Sequence, residues 1–87
     1  IPMTLVKTAR LQVFRYVLLK GKEFADHKVH GGITVQCLEG VVEFTSHDRK
    51  QILHAGELVY LAVDVPHALK GVEDASVLVT IVSTNQA

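Results

Sequence analysis

Gly21-KEFAD-His27-KVHGGITVQCLE-Gly40 and, further along, Gly56-ELVYLAVDVP-His67 are the stretches whose reading decides the fold. Each holds an extended, apolar segment bounded by glycines, with a histidine where that segment meets a turn. Ile33, Val35, Val59 and Tyr60 are β-branched or aromatic, side chains that pack well on a pleated, half-buried surface. The two imidazoles lie far apart in sequence, both at strand–turn junctions. They converge if the chain closes into a β-structure.

Working outward, strand follows strand. Leu11–Leu19 is rich in β-branched and aromatic residues, and Gly21 ends it. Glu23–His27 is a short extended piece, after which Gly31-Gly32 predicts a break. Ile33–Leu38 reads as a strand, Glu39-Gly40 as a tight turn, and Val41–Thr45 as its hairpin partner. A polar loop over Ser46–Lys50 leads to a brief return strand, Gln51–Leu53. His54–Gly56 turns into Glu57–Leu61. Asp64–Pro66 forms a corner, His67–Leu69 resumes, Gly71–Ala75 is a loop, and Ser76–Val82 closes the chain. No stretch carries a 3.6-residue apolar stripe. Seven or eight short strands at roughly 8–12-residue intervals predict an all-β sandwich or barrel. Closure makes physical sense, since it leaves few strand edges open to aggregation.

Composition bounds what such a chain can be. Its 87 residues allow one domain, 1–87, with a small core. Cys37 is the single cysteine, so no internal disulfide is possible and a reducing compartment fits best. With 48% apolar residues in so small a domain, self-association is the natural source of extra stability. Net charge is zero and the nine basic residues are scattered singly, which gives nucleic acid no electrostatic footing. No apolar run approaches the roughly 20 residues of a membrane span, and no signal-peptide pattern is visible. A cytoplasmic location without membrane or nucleic-acid partners is expected. The opening Ile1-Pro2-Met3 is what a trimmed start would leave.

The glycine–histidine spacing resembles the cupins, small double-stranded β-helix barrels with two sequence motifs. The first motif runs Gly, five residues, His, one, His, three or four, Glu, six, Gly. Gly21, His27, Val29, Ile33 and Gly40 fall at its successive positions. The second runs Gly, five, Pro, one, Gly, two, His, three, Asn. Gly56, Ala62, Asp64, His67 and Gly71 fall there. The resemblance implies an all-β cupin barrel of about eight short antiparallel strands. In metal-binding cupins these motifs supply three histidines and a glutamate to one ion. Here only His27 and His67 occupy ligand positions, with Val29 and Ile33 where the other two would be. Two imidazoles alone are a poor site for most divalent ions.

His30 opens a second possibility. In a continuous strand it faces away from His27. If the strand breaks at Gly31-Gly32, its imidazole is free to turn inward, and His27, His30 and His67 form a three-histidine site. Such a site would suit iron, manganese, zinc or nickel; otherwise His30 is a solvated loop residue. Cys37 reads as a core cysteine, and a nucleophilic role would require an electropositive neighbour. Tyr60 and Asp64 could assist His67 in acid–base chemistry, as sugar-epimerising cupins pair His with Asp and Tyr. Asp64 is also an ordinary turn residue, which is the simpler reading. His47 and His54 fall in polar turns.

Three functional readings follow. The favoured one is a small-molecule-binding barrel lined by Val29, Ile33, Val35 and Cys37, with His27 and His67 as orienting polar groups. The second is a metal-dependent, dioxygenase- or isomerase-like enzyme using the three histidines. The third is a non-catalytic structural homodimer. A two-fold dimer is expected in any case, because Leu11–Leu19 is apolar on both faces. Leu11, Val13, Val17 and Leu19 lie on one side, and Phe14, Tyr16 and Leu18 on the other.

Overall fold

The strand predicted for Ile33–Leu38 is observed, and the sheets are built around it. The computed structural model describes residues 2–27, 31–46, 49–62 and 66–83. Nine strands, and no helix, occur among these residues. They are β1 (Pro2–Lys7), β2 (Leu11–Leu18), β3 (Glu23–His27), β4 (Gly31–Glu39), β5 (Val41–Ser46), β6 (Arg49–His54), β7 (Leu58–Leu61), β8 (His67–Gly71) and β9 (Ala75–Ser83). A five-stranded sheet has the order β1-β2-β9-β4-β7, and a four-stranded sheet the order β3-β8-β5-β6. Every pairing is antiparallel.

Along β4, Ile33, Val35 and Cys37 are buried while Thr34 and Gln36 are only partly covered, the signature of a strand with one core face. The core joins both sheets. Ile33, Val35, Cys37, Val77, Val79 and Leu18 come from the larger, and Val42, Phe44, Leu53 and Leu69 from the smaller. Leu18, Val35, Val42, Leu69 and Val77 are each at most 2% exposed. Side chains of this size contribute about 1.5–3 kcal/mol apiece when fully buried.

Glycines mark where the chain changes sheet. Gly21, Gly40 and Gly56 all have positive φ, and they stand at the β2–β3, β4–β5 and β6–β7 crossings. Gly40 is the most constrained. A Cβ there would lie 2.1 Å from the Asp74 carbonyl oxygen, so both its conformation and its surroundings require glycine.

Three expectations are corrected. Val41–Thr45 is no hairpin partner of β4: β4 pairs with β7 and β9, and β5 with β6 and β8, because the chain leaves one sheet for the other at Gly40. Gly31-Gly32 does not break the chain. Both glycines pair with β9, at Ser83 and Val82, and the Tyr60 ring covers Gly32. An aromatic ring on a neighbouring strand supplies the packing that a strand glycine lacks. The Ser46–Lys50 loop is shorter than expected, since β5 runs to Ser46 and β6 starts at Arg49.

β1 has no counterpart in the sequence reading. It is an edge strand on β2, and Met3, Leu5 and Val6 are exposed. Thr8 shapes the turn between them: its hydroxyl oxygen accepts from the Leu11 N–H at 2.9 Å, and its own N–H donates to the Leu11 carbonyl at 2.7 Å.

Candidate functional site at the barrel mouth

β3 and β8 carry the two motif histidines. Their register runs Glu23↔Lys70, Phe24↔Leu69, then an irregularity, then His27↔His67. Three steps on β3 match two on β8, so one extra residue is inserted in β3. Without it, Phe24 and His27 would fall on opposite faces of the sheet. With it, position 27 stands directly opposite position 67, on the face that Phe24 and Leu69 turn to the core. Directly opposed residues of an antiparallel pair share a face. The backbone thus brings both histidine positions together; the His27 side chain itself lies outside the described residues.

His67 is buried, at 3% exposure, and stacks on Phe44 with ring centroids 6.0 Å apart and planes 19° from parallel. Pro66, just before His67, is tied to β5 by the Ser46 hydroxyl, which donates to the Pro66 carbonyl at 3.3 Å. β5 and β6 extend the same inward face in paired steps: Val42↔Leu53, Phe44↔Gln51, Ser46↔Arg49. A cavity of about 260 Å³ opens there, lined by Phe44, Ser46, Arg49, Gln51, Val59, Tyr60 and Leu61. Ser46 and Arg49 escaped the sequence reading because the Ser46–Lys50 segment looked like a plain loop, and Gln51, read as the start of a return strand, was not singled out. The available signal was the alternation Arg49, Gln51, Leu53, which matches one face of a strand.

Ile33, Val35 and Cys37 are buried in the core on the facing sheet. The Cys37 thiol approaches the carbonyl oxygens of Glu39 and Gly40, each at 3.5 Å. Burial pushes its pKa above the ordinary thiol value; its bond to Glu39 opposes the rise and the charge of Glu57 adds to it. A neutral, enclosed thiol is a core residue and a poor nucleophile. Tyr60 does not join His67. It pairs with Thr34, and its ring covers Gly32 on the outer face of the larger sheet. His54 is exposed and bonded to Glu57, whose side chain lies 3.3 Å from its Nδ1 and 2.7 Å from its backbone N–H. These contacts, the backbone bond foremost, hold the Glu57 carboxyl below its usual pKa. Val29, His30, His47 and Asp64 lie outside the described residues.

Among the described residues, no three His, Cys, Asp or Glu side chains gather where they could hold a metal ion. The buried Ile33 occupies the motif's glutamate position and offers no donor. The three-histidine candidate includes His30 and the His27 side chain, which lie outside the described residues.

A cupin-domain family profile matches residues 14–83, and the chain belongs to the cupin family. The fold matches that of a conserved Streptococcus pyogenes protein of unknown function, with 28% identity and a TM-score of 0.91 over 99% of this chain and 75% of that one. A cupin superfamily protein from Desulfitobacterium hafniense gives 19% identity and a TM-score of 0.92, covering 95% and 76% of the two chains. Salicylate 1,2-dioxygenase from Pseudoaminobacter salicylatoxidans, at 17% identity and a TM-score of 0.85, aligns over 92% of this chain and 25% of that one. The last two likenesses bear on fold alone. No curated protein sequence matches significantly.

Proposed function

We propose that this cupin binds a small molecule at the barrel mouth, with His67 and His27 as the polar groups that orient it. The His27↔His67 register beside a 260 Å³ cavity carries this reading. Ligand sites are typically apolar hollows with a few convergent polar groups, and this one is slightly smaller than their usual size range. The test is a small-fragment screen by chemical-shift mapping on the wild type and His67→Ala. Hits should perturb Phe44, Ser46 and Gln51 in the wild type and weaken at least severalfold in the variant. Hits mapping only to other surfaces would contradict the proposal.

Assembly as a homodimer is part of the same proposal. Phe14, Tyr16 and Leu18 pack on or within the core, which leaves Leu11, Val13 and Val17 on the outer face of the larger sheet. Met3, Val6 and Val82 are cross-strand neighbours of this row and stay exposed. Arg15 is the charged residue between them, and it leans to Glu39 at 3.5 Å. A second copy of this same face is the natural cover for it, being equally apolar. Size measurement at micromolar concentration is expected to show a dimer, and Val13→Asp a monomer. The lone thiol of Cys37 suits a reducing compartment, so a cytoplasmic location completes the reading.

A further inference from the structure

We infer that the mouth selects a small organic carboxylate, an anionic head on an apolar body, and that Arg49 is the residue that reads the head. This rests on the mouth being a ligand site and adds the ligand's chemical class. Ladder pairing with Ser46 places Arg49 on the inward face of β6, one step along that face from Gln51. Arg49 is the charged residue on the cavity wall, flanked by the neutral Ser46 and Gln51 and backed by Phe44, Val59 and Leu61.

No described carboxylate lines this cavity, and three are bonded elsewhere. Glu39 contacts Arg15 and Ser76, Glu57 contacts His54, and Asp74 accepts from the Lys20 backbone N–H at 2.8 Å. Glu43 pairs with Lys70 and Ile52 on the outer face of the smaller sheet. Among the described residues, Arg49 makes no ion pair. A planar guanidinium with five donors matches a carboxylate in two-point contact, which gives direction as well as charge. The apolar wall opposite suits a body no larger than one ring, given the cavity volume. A groove of about 510 Å³ beside Tyr16, Leu18, Lys22 and Glu23 is larger, yet it holds both charges side by side and favours neither sign.

Inward charges on edge strands also serve to discourage strand-to-strand aggregation, and β6 is an edge. The experiment separates the two roles. ¹⁵N-labelled wild type and Arg49→Gln are titrated with sodium benzoate and, in parallel, with neutral benzamide. Arg49 is exposed, so the variant should keep the wild-type unfolding midpoint. The expected result is benzoate binding with shifts at Phe44, Ser46 and His67, weakened about tenfold or more in Arg49→Gln, the range for a charge-assisted hydrogen bond. Benzamide should bind both proteins equally and weakly. Equal mouth binding of both probes to both proteins would overturn the carboxylate inference and leave the ligand site standing. Absence of mouth shifts with either probe would overturn both.

Discussion

The two ends of this barrel share strands and differ in chemistry. At the end away from the histidines the inward face reads Val42 on β5 and Leu53 on β6, both buried hydrophobes. Toward the mouth the same faces change to Ser46, Arg49 and His67. The larger sheet does not change: Cys37, Val35 and Ile33 stay apolar along the whole of β4. Among the described residues, the inward-facing polar side chains on β5, β6 and β8 thus gather at the histidine end. Removing a polar group from water costs free energy unless it is partnered. Stability alone would continue the hydrophobic row. Polar side chains gathered at the histidine end are what the proposed binding reading calls for.

The largest test of this contrast is truncation at each end. Leu53→Ala is expected to lower stability by about 2–5 kcal/mol in chemical denaturation, the usual cost of emptying a packed site. Gln51→Ala, at the mouth, should stay within about 0.5 kcal/mol of wild type. Equal losses would erase the distinction between ends.

Glycine corners provide a second contrast. Gly40→Ala forces a methyl against the Asp74 carbonyl and should cost about 1–3 kcal/mol through overpacking, in addition to the strain of its positive φ. Gly56→Ala shares the positive φ, but nothing lies within 4 Å of the added carbon, so the smaller loss is expected there. The reverse order would mean that the Gly40 crossing is looser than its packing indicates.

Cys37 gives the smallest effect. Because burial raises the thiol pKa in the fold, the unfolded chain releases its proton at lower pH than the native one. Native protein therefore binds more protons in that window, and stability falls as pH rises through the ordinary thiol value toward the raised one. Below the ordinary value the effect vanishes. Urea midpoints compared at neutral and alkaline pH should show this decline in wild type and a flatter profile in Cys37→Ala.

Much of the fold was legible because the strands obey a two-residue period with glycines at their ends. Leu11–Leu18 and Ile33–Leu38 announce themselves by β-branched and aromatic content, and the glycine–histidine frame carries the family. Sheet membership was hidden. A Glu39-Gly40 turn looks the same whether it closes a hairpin or passes the chain to the other sheet, and only the tertiary position of Asp74 decides. β1 was obscured by its exposed, unevenly patterned residues. In the site, His27 and His67 were readable from spacing. The inserted residue of β3, which puts both positions on one face, has no local signature. Arg49 was masked by its polar neighbours, since one strand turn of charge resembles a loop.

The meeting of the two motif histidines across β3 and β8 is open to direct measurement by cross-linking. Directly opposed residues in an antiparallel ladder have Cα atoms roughly 4.5–5.5 Å apart, within disulfide range. In a Cys37→Ala background, His27→Cys combined with His67→Cys should oxidise to an intramolecular disulfide, seen as loss of two hydrogens by intact mass and of both free thiols. His54→Cys combined with His67→Cys should remain reduced under the same conditions. Efficient bridging of the 27–67 pair alone is the result this account predicts. Failure of that pair to bridge in folded protein would contradict it.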